Sequence, residues 1–279
     1  MEGREGRPRT FGEMVRGDDD QLDLAEAALA IAEDEFPGLD RAPYLARLDG
    51  LARDALLRAG TGADQRARLS ALNALLFEEL GFRGNLEDYY DAQNSYLHRV
   101  LDRRVGIPIS LSLLHLEVGR RMGLPLVGVG LPGHFVVKLA GASEEVLVDP
   151  FYKGALLDRA ECQRRLDAIY GGKVQLTEQF LRAVSKREVL ARMLYNLKRI
   201  HLRAGDEARA LRVLDHLLDL QPYALEDLRD RGLMLYRGNR YAEALRDLRQ
   251  HQALLPGSPD TTEVQRAIAA CERLQPRQP

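Results

Sequence analysis

The spacing of apolar residues changes period once along this chain, and that change limits the fold more than any other feature. Up to Met122 apolar residues recur at helical spacing. Between Gly123 and Asp149 they gather into three short β-branched runs, Leu126–Val129, Phe135–Leu139 and Val146–Val148, separated by Gly or Pro. Beyond Asp149-Pro150 the helical spacing returns and holds to the end. The implied class is α+β and mainly helical, with one small antiparallel sheet. Before the sheet the pattern predicts helices over 22–36, 41–59 and 64–80, bounded by Pro37-Gly38, Gly60-Thr61-Gly62 and Gly81. One or two more fall within 87–104. A helix over 109–122 has Pro108 in its first turn and Gly123 as its stop. Another follows over 158–170. Residues 1–20 read as a loose charged arm, with Asp18, Asp19 and Asp20 capping the next helix.

The C-terminal third has an internal period. Ala210 and Ala244, Leu214 and Leu248, and Pro222 and Pro256 are each 34 residues apart. A small residue in mid-helix lets two antiparallel helices approach, and the proline closes each pair. This pattern resembles the tetratricopeptide repeat. Leu194, Leu228 and His201 depart from it where aromatic residues often stand. Two repeats, over 191–224 and 225–258, would be capped by a helix over 261–274. The organisation is then an arm (1–20), a helical lead-in with the sheet-containing core (21–180), and the repeats (181–279). Two repeats are few for a free-standing solenoid and are expected to pack on the core.

Composition excludes several functions. Of 279 residues 45% are hydrophobic, ample for a core, and the net charge is −2 with both signs interspersed. That is not the basic footprint of a nucleic-acid binder. No apolar run reaches the roughly 20 residues that span a bilayer, and no secretory h-region opens the chain. The expected location is the cytoplasm, with Cys162 and Cys271 as reduced, packed thiols. Neither HExxH nor a phosphate-loop motif occurs, so neither a metal nor a nucleotide cofactor is expected.

The segment from Gly106 to Phe151 has the outline of a thiol-enzyme core: a helix, a strand opening with His134 and a strand ending in Asp149. In transglutaminase-like and papain-like folds a cysteine starts the helix, where the dipole and free amides favour thiolate and oxyanion. A histidine takes the proton and an acid holds its ring. Here the helix starts Pro108-Ile109-Ser110, and no cysteine precedes Cys162. Ser110 and Ser112 are the nearby hydroxyls. Ser110 also reads as a helix N-terminal hydroxyl meeting backbone amides, and Ser112 as a small packing residue.

Taken together, "NSYLHRVLDRRVGIPISLSLLHLEVGRRMGLP", "LPGHFVVKL" and "LVDPF" closely resemble the SirB1 family over about residues 22–258. The resemblance implies a transglutaminase-like (papain-like) core followed by tetratricopeptide-like helices. It places His134 and Asp149 at the family's base and orienting acid, with no cysteine at the nucleophile's position. A remnant hydrogen bond between them is expected. The reading that follows is a non-catalytic protein acting on a protein or peptide partner, without nucleic acid, membrane or cofactor. Two alternatives stand beside it. One is a hydrolase or acyl-transfer enzyme using His134, Asp149 and Ser110 or Ser112. The other is a small-molecule or peptide cleft without turnover.

Overall fold

The computed structural model describes residues 9–142, 144–255 and 261–274. Its helices are α1 (Phe11–Met14), α2 (Leu24–Ala30), α3 (Ala42–Ala59), α4 (Gln65–Asn73), α5 (Leu97–Arg103) and α6 (Pro108–Arg121), then α7 (Arg159–Tyr170), α8 (Lys186–Arg203), α9 (Glu207–Leu220), α10 (Leu225–Arg237), α11 (Tyr241–Leu254) and α12 (Thr261–Leu274). The strands are β1 (Arg83–Gly84), β2 (Val105–Gly106), β3 (Leu126–Val129), β4 (Val136–Leu139), β5 (Val146–Asp149), β6 (Ala155–Leu157) and β7 (Ala183–Val184). β1 and β2 form a small parallel pair; the others form an antiparallel sheet of order β6-β5-β4-β3-β7.

The central helix is α6, whose residues are buried from Pro108 through Gly119. A helix buried on every side lies inside its domain, and its polar side chains there have partners: Ser110 donates to the Asn94 carbonyl and Glu117 pairs with Arg121. Gly119 lets it approach the sheet closely, since a Cβ there would overlap the Leu126 side chain. Strand alternation divides the sheet's two faces. Val137, Leu139 and Val148 join the main core with α6, whereas Val129, Val136 and Leu147 pack with Cys162 of α7. Both cysteines are buried and free.

Several expectations are corrected. The loose arm does not describe residues 9–20. Thr10 and Glu13 form a reciprocal capping box, and Phe11, Met14 and Val15 are buried. Those apolar residues at helical spacing dock the segment against α9. The aspartate run caps a different helix from the one expected. Asp23 accepts from the Glu26 N–H at the start of α2. Asp19 instead accepts from the Lys186 and Arg187 N–H groups (3.0 and 2.9 Å), the first turn of α8. The helix expected over 22–36 ends at Ala30. Glu33, Asp34 and Glu35 would load its C-terminal end with negative charge, which the helix dipole opposes. They pair with Arg41, His216 and Arg209. The helix expected over 64–80 widens after Asn73 into a π-helical turn, with the Leu80 N–H donating to the Leu75 carbonyl at 3.0 Å.

The repeats fold as helical hairpins, α8–α9 and α10–α11, followed by α12. Ala210 and Ala244 are fully buried. Pro256 lies outside the described residues. The two hairpins differ in what they pack on: buried residues of α8 and α9 belong to the same cluster as α6, while most of those of α10, α11 and α12 form their own.

Candidate functional site

His134 enters β4 through a tight turn. Its N–H donates to the Leu131 carbonyl at 3.0 Å, closing Leu131-Pro132-Gly133-His134. Proline fixes the first corner of this turn. Gly133, at φ +70, supplies the second, where an L side chain would be strained. The antiparallel register Val137↔Val148 then brings the end of β5 beside the start of β4. His134 Nε2 donates to Asp149 Oδ2 at 2.8 Å, so the expected hydrogen bond is present. Asp149 is fully buried, and its second oxygen accepts from the Phe151 and Tyr152 N–H groups at 3.1 and 3.3 Å. Those bonds cap the short 3-10 turn Pro150–Tyr152 and fix the carboxylate. Arg165 of α7 puts its Nε 3.0 Å from Asp149 Oδ2, an ion pair without hydrogen-bond alignment. Its guanidinium also lies 4.3 Å over the Tyr152 ring. With Nε2 held by Asp149, Nδ1 is the ring nitrogen left to meet a ligand.

His134 lines a cleft of about 360 Å³. Pro108 and Ile109 at the start of α6 line it too, with Tyr89, and a stripe of α8: Arg192, Tyr195, Asn196 and Arg199. The cleft therefore lies where the transglutaminase-like region meets the first hairpin. Desolvation raises the pKa of Tyr89. It does the same for Tyr195, whose hydroxyl also donates to Asp227 Oδ2 at 2.8 Å.

The two serines are placed elsewhere. Ser110 Oγ is buried, donates to the Asn94 carbonyl at 2.6 Å and accepts from the Ile107 N–H at 3.1 Å. Ser112 Oγ is buried and donates to the Phe135 carbonyl at 3.3 Å. Neither is among the described residues that line the cleft with His134. Cys162 sits across the sheet from α6, and burial pushes its thiol up to about 11. A thiol so shifted is a poor nucleophile at neutral pH.

Comparison with known proteins decides the family. A profile described as "Transglutaminase-like superfamily" matches residues 42–195, and one described as "Tetratricopeptide repeat" matches residues 197–274. A UPF0162 protein of Xylella fastidiosa is 37% identical over 248 residues, covering 86% of this chain and 87% of that one. A UPF0162 protein of Vibrio cholerae is 31% identical over 243 residues, covering 87% and 90%. The chain belongs to the UPF0162 family, with a transglutaminase-like core. This is the grouping to which the SirB1-like motifs pointed. Human F-box only protein 21 is 36% identical over 160 residues, which cover 54% of this chain and 24% of that protein. No solved structure matches.

Within this frame the sequence located the His134–Asp149 pair but missed its surroundings. Arg165 carries no signal in its local pattern, because only the fold brings α7 to the end of β5. The α8 stripe did carry one. Arg192, Tyr195, Asn196 and Arg199 fall at i, i+3, i+4 and i+7, a polar stripe along one side of an amphipathic helix.

Proposed function

We propose that this chain is a cytoplasmic, non-catalytic member of the transglutaminase-like group that acts through protein–protein contact, using the His134 cleft to hold a peptide segment without turning it over. The observation that carries the reading is the make-up of the helix start. Pro108 lines the cleft with His134 and offers neither a nucleophile nor an amide donor. Ser110 is committed to Asn94 and Ile107, and Ser112 to Phe135. The tetratricopeptide match supports a protein partner, because such repeats serve mainly as binding scaffolds. The two buried, unpaired cysteines suit a reducing compartment.

The rival reading, serine-based hydrolysis or acyl transfer, draws on the intact dyad. It requires a hydroxyl within about 2.6–3.2 Å of the base, and Ser110 would have to give up both of its hydrogen bonds to supply one. The test is intact-mass analysis of the protein after treatment with a fluorophosphonate probe. No adduct is expected. Stoichiometric labelling of Ser110 or Ser112 that disappears in a folded His134→Ala variant would overturn the non-catalytic reading.

A further inference from the structure

Many arginines of this chain have acidic partners. Arg58 pairs with Glu79, Arg121 with Asp49 and Glu117, Arg209 with Glu35 and Asp206, and Arg231 with Asp215 and Asp247. Arg192 and Arg199 differ. Among the described residues neither has a carboxylate within ion-pair distance. They stand two helical turns apart and so share one face of α8. Arg199 donates to Asn196 Oδ1 at 3.3 Å and lies 5.4 Å from the centroid of the Tyr90 ring, but neither neutral group balances its charge. Arg192 is more buried, and desolvation together with the charge on Arg199 lowers its pKa. Asp and Glu are absent from the described residues lining the cleft. Asp149, behind His134, is already engaged by His134 and Arg165.

A half-buried guanidinium, Arg192, and an exposed one, Arg199, face one cavity without a counter-charge, an arrangement that an entering anion would relieve. We infer that the cleft takes an acidic peptide, one of whose carboxylates lies between Arg192 and Arg199. The inference rests on the reading of the cleft as a peptide-binding site and adds the chemistry of its occupant. Guanidinium forks match planar carboxylates. Tyr89, Tyr170 and Tyr195 line the same cavity and offer their rings to the rest of a peptide. The volume lies within the range of ligand pockets.

The test follows the arginine Nε–H resonances of the full-length 15N-labelled chain during titration with three probes: acetyl-Glu-Glu-Glu-amide, acetyl-Gln-Gln-Gln-amide and sodium phosphate. The expected result is saturable shifts at Arg192 and Arg199 with the glutamate peptide, and binding at least about tenfold weaker with the glutamine peptide. The response should vanish in the double variant Arg192→Gln/Arg199→Gln, provided its thermal melt shows that it folds. The resonance of Arg58, which already has an acid partner, serves as the control. An equal response to both peptides would overturn the inference while leaving a peptide cleft in place. Tighter saturation by phosphate than by the glutamate peptide would assign the site to a phosphate group and overturn the acidic-peptide inference. Silence with all three probes would overturn it as well. A fluorophosphonate adduct would instead strike the non-catalytic reading and leave the charge preference standing.

Discussion

The two walls of the cleft that follow the enzyme outline are in opposite condition. On the sheet side everything a base needs is in place: a glycine turn aims His134, Asp149 holds its ring, two amides fix Asp149, and Arg165 neutralises the pair. On the helix side proline occupies the first turn and the next hydroxyl is tied inward. The difference teaches that a His–Asp pair of this geometry can work as a structural clasp. Asp149 joins β5 to the start of β4, to the following turn and to α7. A wall with that many attachments is costly to lose even when no reaction depends on it, whereas a helix start needs only a good N-terminal residue, which proline is.

The sharpest way to break the comparison is to remove the clasp. Asp149→Ala leaves Arg165 without its buried partner and strips the cap from the Pro150–Tyr152 turn. We expect a loss of about 3–5 kcal/mol in urea denaturation, the usual cost of breaking a buried ion pair from one side. A loss below about 1 kcal/mol would mean that the sheet-side wall is not structural.

The third wall, α8, can be compared with the hairpin beyond it. Ala210→Leu overfills the packing of α9, whose partner α8 carries the cleft arginines; Ala244→Leu overfills α11, which packs in the separate cluster of α10 and α12. Each is expected to destabilise by about 1–3 kcal/mol. Only Ala210→Leu should also perturb the amide resonances of Arg192 and Arg199. Equal perturbation by both would show that the hairpins act as one body on the cleft.

How far the sequence revealed these walls depends on element length and on distance along the chain. The helix α3, the helix α6 and strands β3 to β5 each carry enough residues to display a period, and their positions were legible within a residue or two. The two- and three-residue strands β1, β2, β6 and β7 show no period at all. The docking of Phe11, Met14 and Val15 was hidden by the charges around them. At the site, His134 and Asp149 were legible because neighbouring strands keep them close in sequence and because the motifs around them resemble the SirB1 family. Arg165, Tyr89 and the α8 stripe were not paired with them, since contacts between distant elements leave no local pattern. Ser110 was legible as a helix-start hydroxyl, but its acceptor Asn94 was not.

A smaller effect separates the helix-side wall from the sheet side through pH. His115 of α6 is fully enclosed, its Nε2–H donates to Asn73 Oδ1 at 2.8 Å, and burial lowers its pKa to about 3. The native state therefore refuses a proton that the unfolded chain takes up near its ordinary value of about 6.5. Its contribution to stability is complete above that value and is lost as pH falls from about 6.5 towards 3, with a limiting slope of about 1.4 kcal/mol per pH unit. His98, lowered to about 4 by burial, acts in the same direction. Thermal melts across pH 4.5–7 should show a shallower acid decline in His115→Gln than in the parent protein; identical slopes would remove His115 from the account.

The most direct test of the central claim, a working base wall facing a helix start that lacks a nucleophile, is to supply the nucleophile. Pro108→Cys puts a thiol at the first turn of α6, on the lining of the cleft that holds His134. The measurement is the pH dependence of its alkylation by iodoacetamide, with Cys162 and Cys271 buried as internal controls. The account predicts half-maximal reactivity well below the free-thiol value of about 8.5, returning towards it when His134→Ala is added. A thiol that titrates at its ordinary value in both backgrounds would contradict the claim that the two walls still face each other.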